Sequence, residues 1–146
     1  MSLLEQYFEN KIFLNMKTKL KSGQYTDYYC NFRNLLVCPK LMDDTANLII
    51  ETIKNNNIEF DALCGVLTGG VPITAIVANK LGVKQILVRD KKKDYGMKNE
   101  IDGDLEPGSR VLVIEDVVTT GNSVLEVIHK LRQNNFVVSE TIVLME

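Results

Sequence analysis

The stretch that decides the fold of this 146-residue chain is Arg110-Val-Leu-Val-Ile-Glu-Asp-Val-Val-Thr-Thr-Gly-Asn-Ser123. Residues 111–114 are all apolar, which is typical of a strand that is covered on both faces in a parallel sheet. Glu115 and Asp116 follow at the carboxyl end of this strand. The stretch therefore predicts a buried central strand over residues 110–114 that leads into two carboxyl groups.

A turn of small and polar residues comes next and opens a helix. It contains Thr119-Thr-Gly-Asn-Ser123, and the amphipathic residues 124–133 follow. Unpaired backbone N–H groups at the start of a helix, together with the helix dipole, form a cradle for an anion. Adjacent carboxylates can accept hydrogen bonds from neighbouring hydroxyls. The combination predicts a site for a ribose that carries a phosphate. The alternative is an ordinary strand–turn–helix connection with Ser123 as the helix N-cap.

Alternating strands and helices surround this stretch. The pattern predicts strands over residues 60–66, 85–89, 110–114 and 137–144, and helices over residues 39–55, 72–81 and 123–133. Repeated units of this length predict an α/β fold with a doubly wound parallel sheet and helices on both faces. In such sheets ligands bind at the carboxyl ends of the strands, near the switch in strand order.

A helix and a hairpin precede these units. Ser2 is expected to cap a helix that reaches Lys11, with Glu5 as its capping-box partner. Gly23 is the expected turn residue between strands over residues 13–20 and 26–33. We therefore expect one domain over residues 1–146, with a hood over residues 1–35 and a core over residues 36–146.

Two further loops are expected at the same end of the sheet. Leu67-Thr-Gly-Gly-Val-Pro72 links a strand to a helix, and its glycines let the backbone approach an anion. A tight turn that needs glycine for packing is the alternative. Residues 90–108 form one long loop that begins with a cluster of lysines, and a loop of this length is expected to be a mobile lid. A solvated charged face is the alternative for these lysines.

The composition excludes several other classes of protein. The formal net charge of -2 gives no basic field of the kind that nucleic acid binding needs. No apolar run approaches the length of a membrane span, and the start of the chain lacks a signal sequence, so we expect a cytoplasmic protein. Cys30, Cys38 and Cys64 are far apart, and we expect three reduced thiols with no metal site.

The motifs resemble those of a known family. The stretch from residue 115 to residue 123 is similar to the phosphoribosyl-pyrophosphate (PRPP) motif of type I phosphoribosyltransferases. Leu20-Lys-Ser-Gly23, then Tyr28-Tyr29, then Lys93-Asp-Tyr-Gly96 precede it in the order found in orotate phosphoribosyltransferases. This closer resemblance runs from about residue 13 to the end of the chain.

The resemblance implies an activity and a set of site residues. It implies Mg²⁺-dependent transfer of ribose 5-phosphate from PRPP to orotate, with the metal carried by PRPP rather than by protein side chains. It also implies a homodimer in which the lid closes on the active site of the neighbouring subunit. The implied catalytic residues are Lys21, Arg89 and Lys93, and the implied base-binding residues are Lys21, Tyr29, Cys30 and Thr119. The implied PRPP-binding residues are Thr68, Gly69, Gly70, Tyr95, Glu115, Asp116, Val117, Val118, Thr119, Thr120, Gly121, Asn122 and Ser123.

Three departures from the family pattern leave two other functions open. Asp90 occupies a position that is usually basic, and Thr68 replaces a tyrosine of the family. The family continues beyond the position of Glu146 with an arginine that helps to hold the carboxylate of orotate. The first alternative is therefore a type I phosphoribosyltransferase for another pyrimidine or a purine. The second is a PRPP-binding protein without turnover.

Overall fold

The computed structural model describes residues 1–19, 23–90 and 100–146. They form two compact units, Met1–Thr45 and Ala46–Glu146. The boundary that the sequence suggested, between residues 35 and 36, lies inside the first unit. The predicted site residues Lys21, Lys93 and Tyr95 lie outside the described residues.

The first unit contains a short helix, a hairpin and the start of a longer helix. Its elements are α1 (Leu3–Glu9), β1 (Phe13–Lys19), β2 (Tyr25–Cys30), a 3₁₀ helix (Phe32–Val37) and α2 (Pro39–Asn55), which continues into the second unit. Ser2 caps α1 as predicted: the Glu5 N–H donates to the Ser2 hydroxyl at 3.3 Å, and the Ser2 N–H donates to the Glu5 carboxylate at 2.6 Å. The second strand ends earlier than predicted, because Arg33 belongs to the 3₁₀ helix.

Four aromatic rings pack together in this unit. Tyr7, Phe8, Phe13 and Phe32 meet edge to face, with ring centroids 5.2 to 5.6 Å apart. The hydroxyl of Tyr7 lies 2.8 Å from that of Thr45, which in turn donates to the Leu41 carbonyl at 2.7 Å. Edge-to-face pairs of buried rings stabilise a fold beyond the area that they bury. The cluster therefore joins α1, the hairpin and the 3₁₀ helix.

The second unit is built on a five-stranded sheet. Its elements after α2 are β3 (Ala62–Gly65), α3 (Gly70–Leu81), β4 (Lys84–Val88), β5 (Ile101–Asp102), β6 (Val111–Val117), α4 (Asn122–Gln133) and β7 (Thr141–Met145). The strand order is β5-β4-β3-β6-β7. Four of these strands are parallel, and β5 pairs antiparallel with β4 at one edge. The α/β class and the order of elements confirm the prediction.

Helices cover both faces of the sheet, as a doubly wound fold requires. On one face, Cys64 and Val113 pack in a buried cluster with Val127 and Leu131 of α4. On the other face, a Cβ added to Gly65 would lie 2.7 Å from the hydroxyl oxygen of Thr74 in α3. Side chains alternate between the two faces along a strand. A strand that packs on both sides must be apolar throughout, which explains the unbroken hydrophobic run before Glu115.

Three details of the predicted sheet are wrong. The sheet is mixed rather than fully parallel, because Ile101 and Asp102 pair with β4 inside the loop predicted over residues 90–108. A strand of two residues is too short to leave a periodic pattern. The strand predicted to end at Ile114 continues through Val117, because Glu115 and Val117 pair with β7. The centre of the sheet is β3 rather than β6.

The strand order locates the point where a ligand would bind. The chain passes from β3 outward to β4 and β5, and then returns to the other side of β3 as β6. The order of the strands therefore switches between β3 and β6. Crevices at the carboxyl ends of strands next to such a switch are where ligands bind in open α/β sheets. The turn after β3 and the carboxyl groups of β6 both lie there.

Leu131→Ala should destabilise the second unit. Leu131 is fully buried, with 0% of its surface exposed. Loss of its side chain should lower the free energy of unfolding by about 2–5 kcal/mol, because it removes buried apolar contacts and leaves a cavity. Urea denaturation measures the change. Leu125→Ala on the same helix is the matched control: Leu125 is 60% exposed, so its replacement should change the unfolding free energy by less than about 0.5 kcal/mol. Equal losses would contradict this packing.

Candidate functional site

The turn between β6 and α4 forms an open cradle. Gly121 is the N-cap of α4, with φ 79°, and within residues 1–19, 23–90 and 100–146 no side chain caps this helix start. Ser123 would be the N-cap if this were an ordinary strand–turn–helix connection. It lies instead in the first turn of α4. Thr119, Thr120 and Asn122 are exposed, and residues 115 and 117–124 line a concavity of about 220 Å³. Free N–H groups and hydroxyls around an open space suit a phosphate.

The turn after β3 packs tightly against the end of β6. A Cβ on Gly69 would overlap the carboxylate of Asp116, and a Cβ on Gly70 would lie 2.6 Å from the Ile114 carbonyl oxygen. The peptide bond between Leu67 and Thr68 is cis. Packing therefore accounts for both glycines, as in the alternative considered above. The contact also brings two of the predicted anion-binding segments to the same point, although anion binding by this turn stays a prediction.

The two carboxyl groups of β6 differ in their surroundings. Glu115 is only 5% exposed. Burial raises the pKa of Glu115 to about 8, and the hydrogen bond and negative charge of Asp116 add to this effect. The Asp116 N–H donates to Oε1 of Glu115 at 3.1 Å, and the Val117 N–H donates to Oδ1 of Asp116 at 2.8 Å. At neutral pH Glu115 is therefore mostly protonated, and the pair offers a hydroxyl donor as well as carboxylate acceptors.

Arg89 lies just beyond the end of β4 and is held by its neighbours. Its Nη2 lies 2.5 Å from Oδ2 of Asp102 in β5. Its backbone N–H donates to the Glu100 carbonyl at 2.8 Å. Among the described residues its buried Nε has no hydrogen-bond partner. The Arg89 side chain as a whole is 29% exposed, so part of it faces solvent.

A groove of about 340 Å³ links Arg89 with the rest of the site. Its lining includes Leu67 of the turn after β3, Ser123 of α4, Arg89, Asp90 and Lys130. The groove therefore brings together two predicted site residues, Arg89 after β4 and Ser123 at the start of α4, beside Leu67 of the turn after β3. Asp102 and Lys130 belong to this region and were not predicted. The spacing of Glu126 and Lys130 indicates an ion pair within the helix, but no sequence pattern indicates that Lys130 reaches β4.

The predicted base-binding residues of the hairpin belong to the first unit. Tyr29 and Cys30 are half-buried in β2, opposite Leu14 and Phe13. Burial raises the pKa of the Cys30 thiol, so the thiol is uncharged at neutral pH. All three cysteines are free. Base binding by these residues and by Thr119 stays a prediction.

The described part of the chain contains neither a metal-binding cluster nor a membrane-spanning helix. No three histidine, cysteine, aspartate or glutamate side chains in residues 1–19, 23–90 and 100–146 gather to hold a metal ion. Within the same ranges, every helix is too short or too polar to cross a membrane.

Comparisons with known proteins show the family to which the sequence is similar. Residues 32–146 match the family described as phosphoribosyl transferase domain. The chain is 33% identical to an orotate phosphoribosyltransferase of Methanothermobacter thermautotrophicus over 144 residues, which cover 99% of this chain and 78% of that protein. It is 32% identical to an orotate phosphoribosyltransferase of Caenorhabditis elegans over 142 residues, which cover 97% of this chain and 63% of that protein.

A solved structure is similar over nearly the whole chain. The crystal structure of orotate phosphoribosyltransferase from Aeropyrum pernix has a TM-score of 0.84 and 30% sequence identity, and the match covers 97% of this chain and 80% of that one. This similarity confirms the predicted fold. The chain spans less than two thirds of the length of some curated relatives, among them the nematode protein.

The buried carboxyl group makes stability depend on pH. The pKa of Glu115 rises from an ordinary 4.5 to about 8 in the folded protein. The folded state therefore binds this proton more tightly than the unfolded state. The resulting stabilisation is complete below about pH 4.5 and is lost as the pH rises through about 8. Between these values the wild-type protein should lose stability relative to Glu115→Gln, whose side chain has no proton to lose.

Urea denaturation of both proteins from pH 5 to pH 9 measures this difference. The advantage of the variant should grow with pH and level off above about pH 8. Glu140→Gln, at an exposed carboxyl group, should follow the wild-type curve. Parallel curves for wild type and Glu115→Gln would show that the Glu115 proton does not affect folding.

Proposed function

Because this chain belongs to the phosphoribosyl transferase domain family, we propose that it transfers ribose 5-phosphate from PRPP to orotate and releases pyrophosphate. The observation that carries the proposal is the open cradle at the start of α4, with the acidic pair of β6 beside it at the strand switch. The relatives that match nearly the whole chain are both named orotate phosphoribosyltransferase, which supports orotate as the acceptor.

The cradle and the acidic pair would bind the part of PRPP that does not react. The N–H groups and hydroxyls of residues 119–123 bind the 5-phosphate. Asp116 accepts a hydrogen bond from a ribose hydroxyl, and protonated Glu115 donates one to a hydroxyl oxygen. Binding energy at these groups positions C1 of the ribose for reaction. The protein supplies no nucleophile in this scheme.

The chemical step needs positive charge near the pyrophosphate. As the C1–O bond breaks, C1 becomes oxocarbenium-like and negative charge grows on the leaving group. Arg89 and the backbone N–H groups of Thr68 and Gly69 stabilise that charge, together with Lys21 and Lys93. The Gly70 N–H donates to the Val66 carbonyl instead. The nitrogen of orotate then bonds to C1 and loses its proton, which the departing pyrophosphate accepts. Tyr95 contributes to pyrophosphate binding, while Tyr29 and Cys30 contact the base.

Magnesium is the cofactor that we propose for this reaction. Magnesium usually binds through one or two carboxylates and the oxygens of substrate phosphates. In this proposal the oxygens of PRPP carry the metal, because Asp116 and protonated Glu115 bind the ribose hydroxyls. When bound through PRPP, Mg²⁺ supplies positive charge that stabilises the departing pyrophosphate.

We further propose a homodimer whose subunits exchange lids. The proposal comes from the family resemblance, in which the lid lysine, here Lys93, acts in the neighbouring active site. Closure of the lid would exclude water, which would otherwise hydrolyse PRPP. The expected compartment is the cytoplasm.

Asp116→Asn should weaken PRPP binding. Asp116 lies against Gly69 at the strand switch, and its carboxylate is the proposed acceptor for a ribose hydroxyl. Loss of a hydrogen bond to a charged group should raise the Kd for PRPP by about tenfold or more. Isothermal titration calorimetry measures the change. Asp104→Asn makes the same substitution at an exposed position and should leave the Kd unaltered. An unchanged Kd for Asp116→Asn would remove the ribose role of the acidic pair.

Lys93→Ala should lower turnover while leaving the protein folded. If the ammonium group stabilises charge on the leaving pyrophosphate, kcat should fall by more than about tenfold, which corresponds to about 1.4 kcal/mol of barrier. The assay follows pyrophosphate release with PRPP, Mg²⁺ and orotate. Lys84→Ala, at the exposed start of β4, is the control. A smaller fall in kcat would argue against the catalytic role of Lys93.

The same assay with a panel of bases separates the alternative functions. Release with orotate alone supports the proposed activity, whereas release with another pyrimidine or a purine identifies a different acceptor. PRPP binding without release for any base would identify a PRPP-binding protein without turnover.

A further inference from the structure

Lys130 of α4 reaches across to the end of β4. Its ammonium group donates to the carbonyl oxygen of Arg89 at 3.0 Å and to that of Asp90 at 3.3 Å. It also pairs with Oε1 of Glu126 at 2.9 Å. The Lys130 side chain is 14% exposed. A lysine removed this far from water needs polar partners, and two of the three partners belong to the backbone at the end of β4.

These contacts leave Lys130 little capacity to bind a ligand. A lysine ammonium has three N–H donors and no acceptor, and Lys130 has three acceptors within hydrogen-bonding distance. The Lys40–Asp44 pair of α2 provides a contrast, because it has the same spacing along a helix but its lysine is 82% exposed. A surface pair of that kind contributes little to stability. The buried position and the backbone contacts of Lys130 therefore indicate a different role.

The residue that Lys130 holds is the proposed pyrophosphate ligand. The backbone N–H of Arg89 donates to Glu100, and its guanidinium pairs with Asp102. Lys130 holds the remaining backbone group of Arg89, the carbonyl oxygen. The main chain of Arg89 is thus held from β5 on one side and from α4 on the other. Because the backbone sets the direction in which a side chain leaves a strand, these contacts orient the guanidinium.

The groove that Lys130 lines connects Arg89 to the cradle at the start of α4. Leu67, Arg89, Ser123 and Lys130 line the same space of about 340 Å³. Ser123 and Lys130 belong to the same helix, so α4 carries both a cradle residue and the contact to β4. A shift at Lys130 would move Arg89 relative to the cradle without changing the cradle itself.

We propose that Lys130 is a positioning residue that fixes the end of β4 so that Arg89 meets the pyrophosphate group of PRPP. The inference rests on the proposed function, because it assumes that Arg89 binds pyrophosphate. Lys130 itself touches neither substrate.

The test compares PRPP with ribose 5-phosphate. Ribose 5-phosphate carries the 5-phosphate that is proposed to bind the cradle, but it has no pyrophosphate. Calorimetric Kd values are measured for wild type, Lys130→Met and Glu126→Gln. Lys130→Met should weaken PRPP binding by about tenfold and change ribose 5-phosphate binding by less than about twofold. Glu126→Gln leaves both carbonyl contacts in place, so it should change either Kd by less than about threefold. Lys40→Met is the control, because it removes the exposed ion pair with Asp44 that has the same spacing along a helix.

Each outcome has a defined meaning. A selective loss for PRPP supports the positioning role. Equal losses for both ligands, or no loss, would overturn it while leaving the proposed function standing. Failure of the wild-type protein to bind PRPP would overturn the proposed function and this inference together. If Lys130→Met does not fold, Lys130→Gln keeps an uncharged NH2 donor group and should give a smaller loss that is again confined to PRPP.

Discussion

The close contact between the turn after β3 and the end of β6 is the constraint on which the rest of the site depends. Neither Gly69 nor Gly70 has room for a side chain, because Asp116 and the Ile114 carbonyl occupy that space. Two strand ends can share the switch point only when one of them contributes bare backbone. The same contact fixes where α3 begins and how Asp116 is directed. The position of the Asp116 side chain thus depends on the turn after β3, which is distant from Asp116 in the sequence.

Helix α4 links the two ends of the candidate site. Its first turn supplies unpaired N–H groups to the cradle, and its third turn supplies the ammonium that holds the end of β4. A helix is stiff over this length, so the distance between the cradle and β4 is set by the helix rather than by loops. The buried side of α4, with Val127 and Leu131, anchors it on the sheet. The packing of α4 on the sheet therefore sets the distance between the cradle and Arg89, which are proposed to bind opposite ends of PRPP.

The fold was predictable from the sequence wherever periodicity was strong. The bounds of α2 and the capping box at Ser2 agreed with the prediction, because a proline in the first helical turn and a serine–glutamate pair at a helix start are local chemical causes. The edge strand β5 was missed because two residues form no pattern. The candidate site was predictable as a set of segments, but not in its interactions. The protonation of Glu115 and the reach of Lys130 arise from burial and tertiary contacts, which spacing along the chain does not encode.

The absence of a side-chain cap from Gly121 at the start of α4 has a consequence for the stability of the folded protein. Gly121 has no side chain with which to cap the helix, so the first N–H groups of α4 can donate to an anion. An anion that binds only the folded state raises the free energy of unfolding in proportion to the logarithm of its concentration. Resistance to heat and to proteases would then rise with the concentration of an anion that binds in this turn.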